Sequence, residues 1–147
     1  MIRPAREGEA GALRSLVRAA YAHYVPLIGR EPLPMLDDYA ARIAANQAWI
    51  LDREGEMQGV LVLEDTPDGL LLDNIAVAES QRRQGHGCTM IAFAEEQAKA
   101  RGHARIWLYT SVKMVENIAL YTRLGFTETH REDRDGRHRV FMEKRFA

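Results

Sequence analysis

The sequence QRRQGHGC, residues 81–88, lies between an apolar, strand-like stretch at residues 70–77 and a helical pattern that runs to Arg101. Its two glycines, Gly85 and Gly87, stand where a strand passes into a helix, so several backbone N–H groups can converge on one point. The positive end of the helix dipole adds to them. This combination is typical of an anion site, most often for phosphate. A tight turn that needs glycine only for its dihedral angles is the alternative, and the segment alone leaves both open.

Two well-known phosphate loops are excluded. The G-x-G-x-x-G fingerprint is absent, because Met90 stands where the third glycine belongs. The G-K-[ST] ending of a P-loop is absent as well. The glycines also follow the third strand of a predicted antiparallel meander and not an N-terminal parallel strand. The segment therefore predicts a phosphate site of another kind.

Length and charge limit the class of protein. We expect one domain over residues 1–147, because this length suits a single core. A formal net charge of −1 provides no overall electrostatic attraction to nucleic acid or to a membrane, and no apolar run has the length of a membrane span. The N-terminus lacks the apolar region of a secretory signal, and the lone Cys88 excludes an intramolecular disulfide. We therefore expect a cytoplasmic protein with neither nucleic acid nor membrane as partner.

The hydrophobic periodicity predicts an α/β (α+β) fold with a mixed, mostly antiparallel sheet of six or seven strands and about four helices. Residues 70–77, a crossover helix and residues 106–110 form a predicted right-handed parallel unit. Predicted strands cover residues 2–3, 49–52, 57–63, 70–77, 106–110, 127–131 and 139–144. Predicted helices begin at Glu9 and after the glycine segment, and cover residues 35–45 and 116–124. The charged residues 131–139 are interpreted as a solvated loop.

A second feature is the run from Asn117 to Phe126, in which Asn117 and Tyr121 are four residues apart and share one helix face. Taken alone, the run is explained by a helix cap at Asn117 and a packing role for Tyr121. Together with Ile75-Ala76-Val77 and the glycine segment, however, it resembles the GNAT acetyltransferase superfamily. The resemblance covers the whole chain in element order and is specific from Leu70 to Phe126. Arg83 and His86 replace residues that are often glycine and apolar there.

The resemblance implies a central sheet that splays between residues 70–77 and 106–110, with acetyl-CoA in the gap. The pantetheine arm would pair with the backbone of Ile75, Ala76 and Val77 like an added strand, and Asn117 would contact it. The pyrophosphate would lie on the backbone N–H groups of Arg82, Arg83, Gln84, Gly85, His86, Gly87 and Cys88. Family members are often dimers, so a homodimer is a further expectation. No metal is implied, and the histidines show no ligand spacing.

The resemblance also implies catalytic roles. The Ile75 N–H would face the acetyl carbonyl, where negative charge builds as an amine attacks. Tyr121 would protonate the leaving thiolate as general acid. The sequence leaves the general base open: Glu64, Asp73 and Asn74 are candidates, and a water chain is another. Cys88 is interpreted as a small space-filling residue.

We expect the acceptor to bind the segment from Tyr21 to Tyr39. Tyr24, His23, Asp38 and Tyr39, with Asp73, could hold a cationic amine. The alternative is that the tyrosines pack on the sheet and Asp37-Asp38 opens a helix.

The leading hypothesis is an N-acetyltransferase that transfers an acetyl group from acetyl-CoA to a primary amine of a small molecule or peptide, by direct attack in a ternary complex. The second is a non-catalytic acyl-CoA-binding or sensing module, which the presence of Tyr121 disfavours. The third is a nucleotide-binding α/β domain of another kind, which the missing fingerprints disfavour.

Overall fold

A mixed seven-stranded sheet forms the centre of the computed structural model, which describes residues 1–146. The strand order is β1-β2-β3-β4-β5-β7-β6, and the pairing is antiparallel except between β4 and β5. The predicted fold class is confirmed. The strands are β1 Ile2–Pro4, β2 Ala48–Arg53, β3 Glu56–Thr66, β4 Gly69–Val77, β5 Arg105–Ser111, β6 Thr127–Arg134 and β7 Arg137–Arg145.

Five α-helices cover the two faces of the sheet, two of them very short. They are α1 Ala10–Tyr21, α2 Val25–Ile28, α3 Tyr39–Ala44, α4 His86–Ala100 and α5 Val115–Arg123. Three short 3-10 turns, Ala22–Tyr24, Leu33–Leu36 and Glu79–Gln81, connect them to their neighbours. No helix within residues 1–146 is both long and apolar enough to pass through a lipid bilayer.

The helices divide the core into two layers. On one face, α4 and α5 pack on the sheet, and α4 contributes the buried residues Met90, Ile91, Ala94 and Ala98. Gly59 on β3 permits this approach, because a Cβ there would lie 2.8 Å from the Met90 side chain. On the other face, α1 and α3 cover β2, β3 and β4.

Strands β4 and β5 pair only at their beginnings, where Leu70 lies beside Ile106 and Leu71 beside Trp107. Beyond these two pairs the strands separate, so the sheet opens in its middle. The opening starts next to an irregularity in β4. Val62 on β3 pairs with Asn74, whereas Leu63 pairs with Leu72, so Asp73 is an extra residue. Such a bulge bends the strand and redirects the side chain it carries.

The prediction of one helix over residues 35–45 was wrong. The chain is extended at Asp37 and Asp38, between a 3-10 turn and α3. The Asp38 side chain accepts a hydrogen bond from the Ala41 N–H at 3.1 Å, which makes it the N-cap of α3. Aspartate favours this role because it satisfies an N–H that has no acceptor inside the helix.

Candidate active site

The edge of β4 that faces the opening presents free backbone groups. The Ala78 N–H donates to the Gln58 carbonyl at 2.9 Å, and this bond identifies which residue pairs of the β3–β4 ladder are hydrogen-bonded. In an antiparallel pair the bonded positions alternate, so Asn74 and Ala76 bond to β3. Ile75 and Val77 therefore direct their N–H and C=O groups into the opening, where an extended ligand could pair with them. The Ile75 carbonyl already accepts a bond from the Tyr21 hydroxyl at 3.0 Å.

The glycine segment forms one end of the opening. Arg83 and Gly85 have positive φ values of 66° and 79°, and α4 begins at the next residue, His86. The first bond within the helix runs from the Thr89 N–H to the Gly85 carbonyl at 3.0 Å. The N–H groups of the three residues between, His86, Gly87 and Cys88, consequently have no acceptor inside the helix. This is the local geometry of an anion site.

The side chains of the glycine segment have other roles. Arg82 donates to the Ala20 carbonyl at 2.8 Å and so ties the segment to the end of α1. His86 is buried, and its Nε2 has no hydrogen-bond partner among residues 1–146. Gln84 and Cys88 are exposed. Any anion held here would therefore contact mainly the backbone.

Two cavities meet within the opening. The smaller, about 180 Å³, lies beside the glycine segment and is lined by Val77, Arg82 and Gly87 among others. The larger, about 390 Å³, lies on the side of α3 and the β6–β7 turn. Four residues line both cavities and mark their boundary: Tyr21, Ile75, Asn117 and Tyr121. Three of these four are predicted site residues.

Tyr121 projects from α5 into this boundary. It is only 5% exposed, packs on Phe126, and its hydroxyl has no hydrogen-bond partner among the described residues. Burial, with a smaller contribution from Tyr24, raises the pKa of Tyr121 well above its usual value. The hydroxyl therefore keeps its proton throughout the neutral range. Asn117, one turn earlier, donates only a weak bond to the Met114 sulfur at 3.7 Å.

A cluster of carboxylates surrounds one arginine on the side of the larger cavity. Arg42 of α3 binds Asp37 at 2.9 Å, Glu64 at 2.7 Å and Asp73 at 3.1 Å. Asp37, Glu64 and Asp73 form the group called here the carboxylate cluster. Three negative charges thus share one guanidinium, and Asp37 and Asp73 line the cavity.

The carboxyl of Asp73 has an unusual proton affinity. Burial is the main cause that raises the pKa of Asp73 to about 6; Arg42 opposes the rise, and Asp37 and Glu64 add to it. A carboxylate with this pKa is ionised at neutral pH and is a stronger base than an exposed one. Such a pKa suits the acceptance of a proton.

The structure separates the three candidate bases. Asn74 is buried, accepts a bond from the Tyr21 hydroxyl at 2.8 Å and donates to the Tyr39 hydroxyl at 3.0 Å. Glu64 binds Arg42 and does not line the larger cavity. Asp73 both lines the cavity and carries the raised pKa.

The remaining predicted acceptor residues do not converge with Asp73. Tyr24 lines only the smaller cavity, and its ring packs on His23 at 3.9 Å. Tyr39 is 2% exposed, lies outside both cavities and donates to the Pro34 carbonyl. Asp38 caps α3 and also lies outside both cavities. The open alternative, in which the tyrosines pack and the aspartates begin a helix, describes Tyr39 and Asp38 better.

The interpretation of residues 131–139 as a solvated loop was wrong about the loop, although residues 131–136 are exposed. Residues 131–139 belong to β6, the turn and β7, and Arg137 and Arg139 line the larger cavity together with Lys113. The alternation of Arg137, Arg139 and Phe141 along one strand face is the signal that could have located them. Arg42 offered no comparable signal in the sequence.

The fold and the site together define an α/β protein with a splayed sheet and two cavities that meet in the opening of that sheet. The chain belongs to the acetyltransferase (GNAT) family, whose model matches residues 13–126.

Two relatives carry related names. The uncharacterized N-acetyltransferase YvbK of Bacillus subtilis is 34% identical over 93 residues, which cover 63% of this chain and 58% of that one. The [ribosomal protein bS18]-alanine N-acetyltransferase of Escherichia coli is 33% identical over 78 residues, 53% of each chain. The matches thus span less than two thirds of either relative.

Solved structures share the fold over nearly the whole chain. PaiA N-acetyltransferase from Thermoplasma acidophilum, in complex with coenzyme A, superposes with a TM-score of 0.84 over 99% of this chain and 98% of that one, at 18% identity. The Escherichia coli ribosomal-protein-S18-alanine N-acetyltransferase gives a TM-score of 0.76 over 99% and 92%, at 24% identity. At these identities the likeness establishes the fold.

Proposed function

We propose that this protein is an acetyl-CoA-dependent N-acetyltransferase, and that residues 1–147 form one acetyltransferase domain. The observation that carries the proposal is the meeting of two cavities at Ile75, Asn117 and Tyr121. One cavity leads to a backbone anion site and the other to a cluster of carboxylates. This arrangement suits a donor and an amine held end to end, so that the acetyl group passes directly between them.

The smaller cavity and the glycine segment fit the donor. Three N–H groups without acceptors at the start of α4 would hold the pyrophosphate, and the free edge at Ile75 and Val77 would pair with the pantetheine arm. Gly87 leaves room for this, because a Cβ there would meet only Leu120, at an ordinary 3.5 Å. The Thermoplasma acidophilum neighbour was solved with coenzyme A bound, which agrees with this assignment.

The residues at the boundary supply the chemistry of transfer. Acetyl-CoA contributes a thioester carbonyl, which an uncharged amine attacks. The Ile75 N–H would donate to the oxygen that gains charge during the attack. Asp73 would take one proton from the incoming ammonium. The Tyr121 hydroxyl would give its proton to the leaving sulfur and regain one from the nitrogen as the amide forms. The carboxylate cluster would also attract that cation.

The test of this proposal is direct. Calorimetry should detect binding of acetyl-CoA, and release of free thiol should follow addition of a primary amine. Replacement of Tyr121 by Phe should lower kcat by about 10²–10⁴-fold with little change in acetyl-CoA affinity, because only the proton donor is lost.

Tyr39→Phe is the matched control, since it removes another buried tyrosine hydroxyl outside both cavities and should leave kcat near the wild-type value. An unchanged kcat in Tyr121→Phe would remove Tyr121 from the role of acid. Binding of acetyl-CoA without thiol release for any amine class would instead favour a non-catalytic acyl-CoA-binding module. Thermal stabilisation by NAD or ATP, and not by acetyl-CoA, would contradict both.

A further inference from the structure

The larger cavity has a basic end formed by Lys113, Arg137 and Arg139. None of the three makes an ion pair with a carboxylate among residues 1–146. The Nε of Arg139 is buried and has no hydrogen-bond partner in the same part of the chain. Glu132 lies opposite Arg139 on β6 but bonds His130 at 3.0 Å instead. The cations are therefore available to a ligand.

The protein holds these arginines in place without using a carboxylate. The Arg139 guanidinium lies over the rings of Tyr109 and Phe141, at 4.7 and 5.4 Å from their centroids. Arg137 donates to the Glu31 carbonyl at 3.1 Å. Because both side chains are already ordered, an anion that binds them meets a reduced entropic cost.

The positive charge at this end is not compensated. Burial, and repulsion from Arg30 and Arg139, lower the pKa of Arg137, while Asp135 acts more weakly in the opposite direction. Arg30 itself donates to the Asp135 backbone carbonyl at 2.6 Å and not to a carboxylate. An anion placed among these guanidiniums would relieve their repulsion.

The carboxylate cluster lies at the opposite end of the same cavity. Its three negative charges against the one positive charge of Arg42 leave a negative excess beside Asp37 and Asp73. Tyr109 lies between the two ends. Burial is the main cause that raises the pKa of Tyr109; Asp73 adds to the rise and Arg139 opposes it.

The two ends are separated by a strand. Asp73 belongs to β4 and Arg139 to β7, and β5 runs between them. Two ordinary strand spacings correspond to about 10 Å between the backbones, and the separation of β4 from β5 beyond Leu71 increases this distance. An α-amino acid carries its amine and its carboxylate on one carbon, so this separation favours an acceptor whose amine and anion are further apart.

We propose that the acceptor carries an anionic group, a carboxylate or a phosphate, several bonds from the amine that is acetylated, and that Arg137 and Arg139 bind this group. The inference rests on the proposed N-acetyltransferase function and names its substrate class. Arginine suits the task because its planar guanidinium makes paired hydrogen bonds with carboxylate and phosphate oxygens. The amine would lie at the carboxylate cluster, next to Asp73.

The experiment compares 6-aminohexanoate with its neutral primary amide and with 4-aminobutyl phosphate, using acetyl-CoA as donor. At least one anionic amine should have a kcat/KM at least tenfold above that of the amide. Arg139→Gln should reduce this value about tenfold, equivalent to about 1.4 kcal/mol, and should leave the value for the amide unchanged. The preferred anion identifies the group that the arginines bind.

Arg134→Gln is the control, since Arg134 is exposed on the same hairpin and does not line the cavity; neither substrate should be affected. If Arg139→Gln does not fold, Arg137→Gln and Lys113→Gln provide the same comparison. Equal kcat/KM for the acids and the amide, or equal losses for both in the variants, would overturn the inference.

Calorimetric binding of the same amines to the protein with coenzyme A separates this inference from the proposed function. Selective binding of an anionic amine without acetyl transfer would contradict the transferase and support the anion site. Acetyl transfer to every amine without selectivity would support the transferase and contradict the anion site.

Discussion

Gly87 is a glycine that the protein's own packing does not require. Its φ is not positive, unlike that of Gly85, and an added Cβ would meet only Leu120 at van der Waals distance. Alanine should therefore favour α4 by about 0.5–1 kcal/mol. The same methyl group would enter the smaller cavity and weaken the binding of the donor by about 1–3 kcal/mol, the usual range for overpacking.

Gly87→Ala should accordingly raise the melting temperature of the free protein and weaken acetyl-CoA binding. Thermal unfolding and calorimetry measure the two effects separately. Ala92→Gly, at an exposed position of the same helix, should lower the melting temperature and leave the affinity unaltered. Undiminished affinity in Gly87→Ala would mean that the donor does not approach this residue.

Asp73 should control the response of the activity to acid. Because burial raises the pKa of Asp73 to about 6, kcat/KM should fall as the pH decreases through 6 and the carboxylate gains its proton. Asp73→Asn should lower activity by about 10²–10⁴-fold and abolish this acidic limb. A wild-type profile that stays flat down to pH 5 would exclude Asp73 as the base.

The stability of the same variant provides a second measurement. The folded pKa of Asp73 lies above the value of about 3.9 in an unfolded chain, so the folded state binds more protons between them. The contribution of Asp73 to stability is thus fully present below pH 4 and is lost as the pH rises through 6. The free energy of unfolding of the wild type, relative to Asp73→Asn, should increase from pH 7 to pH 4.

At the scale of elements, the start of α3 distinguishes two adjacent aspartates. Asp38 caps the helix from outside both cavities, whereas Asp37 binds Arg42 and lines the larger one. Asp38→Ala should cost about 0.5–2 kcal/mol of unfolding free energy and leave the acceptor KM unchanged. Asp37→Ala should raise the acceptor KM. Denaturant unfolding measures the stability of both variants, and steady-state kinetics measures their acceptor KM. A KM raised equally in both variants would contradict the assignment of different roles to Asp37 and Asp38.

Local sequence patterns predicted most elements, and the reason is physical. Periodic apolar residues report which face of a strand or helix is buried, as at Met90, Ile91 and Ala94 of α4. Apolar spacing alone missed the break at Asp37 and Asp38, because the segment still resembles a helix in its spacing. Only the preference of aspartate for helix starts offered that break, as an alternative. Apolar spacing missed the bulge at Asp73 as well, since a bulge is defined only by the register with the neighbouring strand.

At the scale of the molecule, the two cavities differ in how much the sequence reveals. The smaller cavity includes short contiguous motifs, so the glycine segment and the Asn117–Tyr121 spacing pointed to it. The larger cavity joins distant parts of the chain: Arg42 binds Asp73 from 31 positions away, and Arg137 binds the Glu31 carbonyl from 106 positions away. Only folding brings these charges to one cavity.

Finally, the sparse pairing between β4 and β5 predicts how a ligand changes the dynamics of the whole chain. The Ile75 and Val77 N–H groups face the opening, so their hydrogen exchange in the free protein should be much faster than that of Asn74 and Ala76, which bond to β3.

At a free acetyl-CoA concentration of 100 times its Kd, exchange through global unfolding should slow about 100-fold, equivalent to about 2.7 kcal/mol. The Ile75 and Val77 amides should slow further, because the ligand covers them directly. Amide exchange followed by NMR, with and without acetyl-CoA, measures each site. Slow exchange of Ile75 and Val77 in the free protein would show that the strands close in solution and that this edge is not available to pair with a ligand.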